Sequence, residues 1–382
     1  MNVAVVAVGQ AGGKIADAIL RYERNSAVDF VVDAIAVNTA RADLLGLQEV
    51  PPENRVLIGA DRVKGHGAGA DNELGAELAD DDIEEIREAV DAIPTSKVDA
   101  FLVVASLGGG TGSGGAPVVA RDLRRIYEEP VFALGVLPAR DEGGIYTLNA
   151  ARSLKTVVEQ ADATLLFDNG AHRESGESLA GGYGRVNDEV ARRIGVLLSA
   201  GEATNPTPEK VVDASEIINT LGRSGGVASL GYASATLDRK RGLFGGYKPV
   251  SEDSLETTTR VTATVRRAAL GGLTLPCELQ GVERALVLVS GPPETLSRSG
   301  VEDARRWLED ATGTPEVRGG DYPLRETNHL SATVLLGGVA EAPRLTELRA
   351  AALEAQRNVT EIAERSNLSA GIWENQELDS LF

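Results

Sequence analysis

The stretch GGGTGSG at residues 108–114 has the composition of a loop that binds phosphate. Five of its seven residues are glycine. Because glycine lacks a Cβ atom, such a backbone can approach an anion closely and donate its N–H groups to phosphate oxygens. Thr111 and Ser113 add hydroxyl donors. We therefore predict an anion site here, rather than a flexible connection that would lose ordering entropy at every glycine.

Two further glycine-rich stretches could surround the same anion. Residues 9–14 read GQAGGK, and residues 65–73 read GHGAGADNE. Each stretch leads toward a predicted helix, whose N-terminal dipole favours negative charge. Three such loops together indicate a polyphosphate more strongly than any one of them does alone.

The stretch at 9–14 matches neither of two common nucleotide-binding fingerprints. A dinucleotide site needs GxGxxG and an acidic residue that closes the second strand. Here the stretch reads GxxGGK, and the second predicted strand ends at Asn38 and Thr39. The GxxxxGK[ST] pattern of a P-loop is also missing. The sequence therefore gives little support to a nicotinamide or flavin oxidoreductase.

The hydrophobic pattern places the three loops at one edge of a sheet. Apolar runs of strand length alternate with helical segments six times in the first half of the chain. This alternation predicts a doubly wound parallel sheet, in which ligands bind at the carboxyl ends of the strands. Glu142 and Asn169 also fall at such ends. We expect residues 9–14 and 108–114 to be turns, and one helix to run from the third loop to about Ala92.

The second half of the chain predicts an α+β domain with a mixed sheet. The predicted elements are strand 227–237, helix 255–270, strand 285–291, helix 294–310, strands 316–323 and 329–337, and helix 344–364. No glycine-rich phosphate turn occurs there, so we expect this half to serve assembly or regulation. Asp213 and Glu216, three residues apart at a predicted helix start, fit a capping box with Asp213 as the N-cap.

The composition indicates a globular protein in a salty cytoplasm. The 382 residues are 42% hydrophobic and carry a net charge of −19, and most of the 38 basic residues are arginine. Diffuse acidity with few lysines suits high salt, which screens repulsion between carboxylates. The sequence has no basic patch for nucleic acid, no apolar run of transmembrane length and no secretion signal. The single Cys277 excludes a disulfide framework, and the histidines lack metal-ligand spacing.

The motif at 108–114 resembles the signature of the tubulin/FtsZ superfamily, and the similarity extends from Val3 to about Glu364. Within the superfamily, the chain most resembles CetZ, the tubulin-like group of halophilic archaea. The segments that carry this closer resemblance are GQAGGK at 9–14, KGHGAGADNELGAE at 64–77, LGGGTGSGGAP at 107–117 and DEGGIYTLNAARSL at 141–154.

The resemblance implies a tubulin/FtsZ fold that polymerises head to tail into protofilaments. Its parts would be a GTP-binding domain at residues 1–182, a central helix at 183–203, a second α+β domain at 204–366 and a tail at 367–382. The implied ligands are GTP or GDP, with Mg²⁺ held between the phosphates through water and phosphate oxygens. The resemblance identifies no protein ligand for the metal.

The resemblance also implies, by position, which residues contact the phosphates. These residues are Gln10, Ala11, Gly12, Gly13, Lys14, Gly108, Gly109, Gly110, Thr111 and Gly112. The loop formed by Gly69, Ala70 and Asp71 corresponds to the family's sensor of the γ-phosphate.

Four more residues correspond to the groups that bind the nucleoside. Glu142 matches the carboxylate on the ribose hydroxyls, and Asn169 matches the amide that reads the guanine edge. Tyr183 and Asn187 match a ring stacked on guanine and a second amide on its edge. An amide offers both a donor and an acceptor, which suits the carbonyl and ring N–H of guanine.

The resemblance changes the interpretation of Asp213 and Glu216 from a helix cap to a catalytic pair. In the family, an acidic pair in this loop enters the nucleotide site of the next subunit and positions the attacking water. FtsZ carries NxDxxD here, whereas this chain has Val211 in place of the asparagine and Glu216 in place of the last aspartate. Since glutamate is one methylene longer, we expect slower hydrolysis and a more persistent polymer.

The resulting hypothesis is a cytoskeletal GTPase that assembles with itself and controls cell shape. The alternatives are an FtsZ-like division GTPase and a GTP-dependent switch that does not polymerise. FtsZ-type proteins usually carry a long linker and an end peptide, so the short tail at 367–382 favours shape control. We expect this tail to be disordered, with a docking peptide for a membrane or cytoskeletal adaptor as the alternative.

Overall fold

The computed structural model of the chain describes residues 1–26, 28–172, 179–202, 208, 210–222, 225–237, 255–324 and 327–373. The strands are β1 Val3–Val8, β2 Val31–Asn38, β3 Arg55–Leu57, β4 Ala100–Ser106, β5 Val131–Leu137, β6 Ala163–Asp168, β7 Val227–Thr236, β8 Arg284–Gly291, β9 Val317–Pro323 and β10 His329–Gly337. They form one sheet in the order β3-β2-β1-β4-β5-β6-β7-β10-β8-β9.

The helices lie on both faces of this sheet. They are α1 Gly9–Arg24, α2 Arg41–Leu45, α3 Ala60–Val63, α4 Asn72–Asp81, α5 Ile83–Asp91, α6 Thr111–Ile126, α7 Gly144–Gln160, α8 Asn169–His172, α9 Leu179–Ser199, α10 Ala214–Leu221, α11 Leu255–Gly271, α12 Arg298–Thr312 and α13 Pro343–Trp373.

Strands β1 to β6 form the doubly wound parallel half that the sequence predicts. β1 lies in its middle, paired with β2 on one side and with β4 on the other. Alternate residues of β1 enter two separate cores, because successive side chains of a strand point to opposite faces. Val3 and Val5 pack with helices α1 and α9, whereas Val6 and Val8 pack with α5 and α6.

Strands β7 to β10 continue the same sheet with mixed directions, as predicted for the second half. β7 runs parallel to β6 over a short contact and antiparallel to β10 over its length. β8 is antiparallel to β10, and β9 is parallel to β8. Val261 and Val265 of α11 and Leu308 of α12 are buried against this half. The two halves therefore share one sheet instead of forming two separate ones.

The central helix α9 is attached to both halves of the sheet. Val190 and Ile194 pack into the core of the parallel half. On the other side, buried Arg193 donates from Nη1 to the carbonyl of Leu230 in β7 at 3.1 Å and from Nε to Glu189 Oε1 at 2.6 Å. With 21 residues, α9 is about 30 Å long.

Three helices begin earlier than the sequence patterns predict. α1 starts at Gly9 and α6 at Thr111, so all of the predicted turn at 9–14 and the last four residues of the turn at 108–114 are helical. Glycine is a poor helix former, but close packing favours it here, since a Cβ on Gly12 would lie 2.4 Å from the carbonyl of Val104. α9 starts at Leu179, four residues before the predicted start.

Side-chain hydrogen bonds to backbone N–H groups accompany two further differences. The helix predicted to run to about residue 92 is divided at Asp82, whose Oδ2 accepts a hydrogen bond from the N–H of Gly59 at 2.6 Å. α12 starts four residues later than predicted, because Ser297 Oγ accepts from the N–H of Gly300 at 3.2 Å and caps the helix there.

The last helix extends beyond its predicted end. α13 continues to Trp373, so the first part of the predicted tail at 367–382 is helical rather than disordered. Residues 374–382, which hold the remainder of the predicted docking peptide, lie outside the described residues. Within the described ranges, no helix combines the length and the apolar character needed to cross a membrane.

Candidate functional site

A cavity of about 760 Å³ opens at the carboxyl ends of the parallel strands. Its volume lies in the range of sites for small molecules and cofactors. The predicted residues that line it are Gln10, Ala11, Lys14, Gly69, Ala70, Gly108, Gly109, Gly110, Thr111, Gly112, Glu142, Asn169, Tyr183 and Asn187. The fold thus brings together residues that are far apart in the sequence.

Two helices begin at the wall of this cavity without a cap. α1 starts at Gly9 and α6 at Thr111, and in the described part of the chain the N-cap residue of neither helix makes a side-chain capping hydrogen bond. The two starts are also in contact, because a Cβ on Gly9 would lie 2.8 Å from the nitrogen of Gly112. The uncapped N–H groups and the two helix dipoles therefore favour an anion at this part of the cavity.

A single amide joins the loop at 69–71 to the glycine motif. Gly69 and Ala70 have φ angles of 59° and 63°, and the left-handed region is uncommon for a residue with a Cβ atom. Asn149 of α7, 1% exposed, donates from Nδ2 to the carbonyl of Ala70 at 2.7 Å and to that of Gly108 at 3.0 Å. The sequence gives no signal for Asn149, because its partners lie far away along the chain.

Three of the predicted phosphate-side residues do not line the cavity. Gly12 lies on the side of α1 that packs against β4, and a Cβ on Gly13 would lie 3.1 Å from Leu47 Cδ2. Asp71 is the N-cap of α4, with its Oδ1 accepting from the N–H of Leu74 at 3.0 Å. These positions give the three residues packing and capping roles, and their contacts with phosphate stay predictions.

Another part of the cavity carries amide, aromatic and carboxylate side chains. Asn169 follows β6 and is 6% exposed, and its Oδ1 has no hydrogen-bond partner among the described residues. A buried acceptor without a donor is unfavourable, so this atom indicates a ligand that offers an N–H group. Tyr183 and Asn187 lie one turn apart on α9 and line the same cavity, as does Glu142.

The structure adds a polar cluster that the sequence patterns do not indicate. Asp43 of α2 accepts hydrogen bonds from Gln10 Nε2 at 2.8 Å and from Asn38 Nδ2 at 3.2 Å. The hydroxyls of Thr39 and Thr111 lie 2.6 Å apart and are hydrogen bonded. Asn38 and Asp43 both line the cavity. The position of Asn38 could have indicated this cluster, because Asn38 ends a parallel strand at the edge of the sheet where ligands bind.

The predicted acidic pair lies at the other end of α9, away from the cavity. Tyr183, which lines the cavity, is about 24 Å along the helix axis from Ser199, where α9 ends. Just beyond that end, a Cβ on Gly201 would lie 2.7 Å from the carbonyl of Val212 and 3.3 Å from the Cα of Asp213. The acidic pair of one chain is therefore out of reach of its own cavity.

The two acidic residues have different surroundings. Asp213 caps α10, and hydrogen bonds from Ser215 Oγ at 2.7 Å and from the N–H of Glu216 at 3.0 Å hold its pKa below the usual aspartate range. Glu216 is half-buried, and its Oε2 has no hydrogen-bond partner among the described residues. Burial and the charge of Asp213 raise the pKa of Glu216 above the usual glutamate value. The Asp213 half of the predicted capping box is thus confirmed.

Profiles of known families match both halves of the chain. Residues 2–176 match the GTPase domain of the Tubulin/FtsZ family, and residues 176–354 match the C-terminal domain of Tubulin-like CetZ. The fold and the site therefore define a GTPase of the tubulin/FtsZ type, and the fold class predicted from the sequence is confirmed.

Individual relatives agree with these profiles. Tubulin-like protein CetZ3 of Haloferax volcanii is 58% identical over 378 residues, which cover 97% of this chain and 96% of the relative. The chain belongs to the CetZ family of tubulin-like proteins. The GDP-bound monomer of CetZ1 from the same organism is 53% identical, with a TM-score of 0.83 over 93% of this chain and 100% of that one. The GTPγS-bound protofilament of CetZ2 is 48% identical, with a TM-score of 0.85 over 94% and 100%.

Proposed function

We propose that this tubulin-like GTPase binds GTP in the cavity and polymerises head to tail, so that each junction completes one active site. The observation that carries the proposal is the distance of about 24 Å along α9 between Tyr183 and the end of the helix beside Asp213. Copies stacked along this axis would bring Asp213 and Glu216 of one chain to the cavity of the next. The similarity to the GTPγS-bound protofilament of CetZ2 supports this arrangement.

In this proposal the phosphates occupy the part of the cavity where α1 and α6 begin. The uncapped N–H groups at Gly9 and Thr111 would donate to phosphate oxygens, and Lys14 at the cavity wall would add a positive charge. Gly69 and Ala70, held beside the glycine motif by Asn149, would close on the γ-phosphate. A diphosphate would leave that loop without its contact, which provides a way to distinguish GTP from GDP.

The base and sugar would occupy the part lined by Asn169, Tyr183, Asn187 and Glu142. The unpartnered Oδ1 of Asn169 would accept from the N–H groups on the guanine edge, and Tyr183 would stack on the ring. Glu142 would accept from the ribose hydroxyls. Adenine lacks the ring N–H that a carbonyl acceptor requires at this edge, so we expect a preference for guanine.

Mg²⁺ fits this cavity as a hydrated ion bound to phosphate oxygens. Among the described residues, no group of three or more His, Cys, Asp or Glu side chains could enclose a metal. Mg²⁺ commonly keeps several waters and takes its remaining ligands from phosphates and one or two carboxylates. Asp43 and Gln10, hydrogen bonded to each other beside the cavity, are the residues that would hold its water shell. The ion would neutralise charge that develops on the phosphates.

Hydrolysis in this proposal depends on water positioning by the acidic pair of the neighbouring copy. Phosphoryl transfer is catalysed mainly by positioning and charge stabilisation, so groups that orient the water set the rate. Asp213 is the more acidic of the two carboxyl groups, and Glu216 is the more basic one. Val211 beside them is 48% exposed and offers the junction an apolar side chain where FtsZ has an amide. We therefore expect slow, assembly-stimulated turnover.

We further propose that the polymer acts in the cytoplasm in the control of cell shape. Membership in the CetZ family supports this role over cell division. Residues 1–182 would bind the nucleotide, and residues 204–366 would serve assembly. The central helix at 183–203 would connect the nucleotide cavity with the junction to the neighbouring copy. The two family profiles meet at residue 176, close to the start of α9, which supports this division. A GTP switch that does not polymerise remains the second candidate, because Val211 replaces a polar group at the junction.

GTP turnover per chain, measured against protein concentration in molar KCl, tests the shared site. Specific activity should rise with concentration in the wild type and collapse in Glu216→Ala, whereas GTPγS affinity should be the same in both. Light scattering should rise on addition of GTP and Mg²⁺. Constant specific activity together with a fully active Glu216→Ala variant would contradict the shared site. Concentration-independent turnover without scattering would instead favour the switch.

A further inference from the structure

The loop before α10 pairs with the last strand of the sheet. β9 ends the sheet order, so its outer edge has no strand beside it within the described residues. The N–H of Lys210 donates to Asp321 Oδ1 at 2.7 Å, and the N–H of Asp321 donates to the carbonyl of Lys210 at 3.1 Å. These two hydrogen bonds fix the register of residues 210–213 against β9.

Gly320 permits the close approach of this loop. A Cβ on Gly320 would lie 2.4 Å from the carbonyl oxygen of Lys210 and 2.7 Å from Val212 Cγ2. Because the nearer contact is with backbone, a side chain at this position would displace the loop itself. Val212 is fully buried, while Val211 and Asp213 on either side of it are exposed. The loop is therefore extended, with Val212 anchored in the core and its neighbours presented to solvent.

β9 also influences the charge of the acidic pair. Arg318 of β9 and Lys210 lower the pKa of Glu216, although burial and the charge of Asp213 raise it by more. Asp321, only 8% exposed, lies three residues after Arg318 on the same strand. The strand thus contacts the loop at Lys210 and carries a charge that acts on Glu216.

We propose that Gly320 and Asp321 are positioning residues for GTP hydrolysis. They hold residues 210–213 against β9 so that Asp213 and Glu216 enter the cavity of the neighbouring copy in one fixed register. This inference rests on the proposed function, in which that cavity is completed by a second chain. Misplacement of a water-positioning group by about 1 Å can slow a reaction on the order of 100-fold. Release of the loop from β9 should therefore slow hydrolysis without weakening nucleotide binding in the distant cavity.

The first test compares Asp321→Ala with Asp321→Asn at saturating protein concentration. Asparagine keeps an oxygen that can accept from the N–H of Lys210, so Asp321→Asn should retain turnover within about threefold of the wild type. Asp321→Ala removes that acceptor and should lose turnover on the order of tenfold or more. GTPγS affinity should be unchanged in both variants. Equal turnover in Asp321→Ala and the wild type would overturn the inference.

A mixing experiment distinguishes positioning from a general loss of stability. Gly109→Val projects into open space in the cavity, because no atom lies within 4 Å of a Cβ at this position. That variant should keep an intact loop but lose nucleotide binding. Mixed with Asp321→Ala, it supplies the intact loop to an intact cavity, and turnover should exceed the sum of the two separate activities.

Glu216→Ala mixed with Gly109→Val is the parallel control for the shared site. If this control mixture regains turnover but the Asp321→Ala mixture does not, Asp321 does not act through the loop and the inference is wrong. If Glu216→Ala is fully active on its own, the shared site is wrong, and the inference falls with it. If turnover is regained in both mixtures, the result supports the shared site and the positioning role of Asp321.

Discussion

The side-chain amide of Asn149 lies 2.7 Å from the backbone carbonyl of Ala70 and donates a hydrogen bond to it. The same amide lies 3.0 Å from the carbonyl of Gly108, so one buried group joins two loops of the cavity. Ala70 has a left-handed backbone, a conformation that persists only where the surroundings hold it. Helix α7, which carries Asn149, therefore sets the distance between the glycine motif and the loop proposed to contact the γ-phosphate.

Asn149→Leu should weaken the binding of GTPγS more than that of GDP. The leucine has a similar volume but leaves the carbonyls of Ala70 and Gly108 without their donor, so the loop at 69–71 loses its register. We expect GTPγS affinity to fall on the order of tenfold, which corresponds to about 1.4 kcal/mol. Isothermal titration with GTPγS and GDP in the presence of Mg²⁺ measures both affinities.

Ser153→Ala is the matched control for this substitution. Ser153 lies one turn further along α7 and is equally buried, but its Oγ has no hydrogen-bond partner among the described residues. Its removal should leave the affinity for both nucleotides unchanged. An unaltered GTPγS affinity in Asn149→Leu, or an equal loss in Ser153→Ala, would contradict the positioning role of Asn149.

Two glycines of the same motif should respond differently to alanine. A Cβ on Gly109 meets no atom within 4 Å, whereas a Cβ on Gly114 would lie 2.2 Å from the carbonyl of Asn72 and 2.5 Å from the nitrogen of Ala76. Gly114→Ala should therefore force α6 away from α4 and lower the free energy of unfolding by on the order of 3 kcal/mol. Gly109→Ala should leave the free energy of unfolding within about 0.5 kcal/mol of the wild type.

Gly109→Ala, the more stable of these two variants, should be the one that loses affinity for the nucleotide. In Gly109→Ala the new methyl group occupies space proposed for phosphate, so GTP affinity should fall on the order of tenfold or more although the fold is intact. Urea unfolding without nucleotide and titration with GTP measure the two effects. Wild-type GTP affinity in a stable Gly109→Ala variant would place the phosphates elsewhere.

The sequence predicts the cavity well because its main features are local. Glycine-rich segments and polar residues at strand ends, such as Gly109 and Asn169, can be located from the alternation of strands and helices alone. Their convergence then follows from the rule that parallel strands place their carboxyl ends at one edge. The mixed second half is also predicted, mainly because β8 and β10 contain continuous apolar runs.

The parts that the sequence does not predict depend on contacts between distant residues. Asn149 and Ala70 are 79 residues apart, and Lys210 and Asp321 are 111 apart. A glycine-rich segment also has a turn-like composition even where it is helical. Position 12, inside helix α1, is a glycine because β4 lies too close for a larger residue. Tertiary packing therefore overrides local propensity at the helix starts, where the sequence patterns are weakest.

Asn169→Leu should reduce discrimination between guanine and adenine nucleotides. The leucine removes the buried Oδ1 that is proposed to accept from the base, so GTP would bind with its N–H groups unpaired. We expect GTP affinity to fall between about tenfold and 100-fold, from a loss of 1–3 kcal/mol, with little change for ATP. Competition titrations with both nucleotides provide the comparison within one variant.

The control for Asn169→Leu is its free energy of unfolding, measured without nucleotide. Because Oδ1 of Asn169 has no partner among the described residues, its loss should not lower the free energy of unfolding by more than about 1 kcal/mol. A stable Asn169→Leu variant that still prefers GTP to ATP as strongly as the wild type would show that the base is read by other groups.

Glu189→Gln should lower stability at neutral pH, and the difference from the wild type should shrink in acid. Burial alone would raise the pKa of Glu189, but hydrogen bonds from Arg192 and the charge of Arg193 outweigh it and hold this pKa below the usual glutamate value of 4.5. Arg193 is 5% exposed, so the glutamine would leave a buried charge without its counter-ion. The expected loss is on the order of 3 kcal/mol at pH 7.

The pH dependence follows from the depressed pKa of Glu189. Glu189 makes its full contribution to the free energy of unfolding at pH values above the pKa that its carboxyl group has in the unfolded chain. This contribution is lost as the pH falls through the lower pKa of the folded state, because the folded carboxylate must then take up a proton. Urea titrations from pH 7 down to about pH 2 should show a nearly constant difference above pH 4.5, and below that pH the wild type should approach Glu189→Gln. As a control, Glu256→Gln removes an exposed helical pair with Arg260 at 2.9 Å and should cost no more than about 0.5 kcal/mol at pH 7. A difference for Glu189→Gln that stays constant or grows below about pH 4.5 would show that Arg192 and Arg193 do not stabilise the charge of Glu189 in the folded protein.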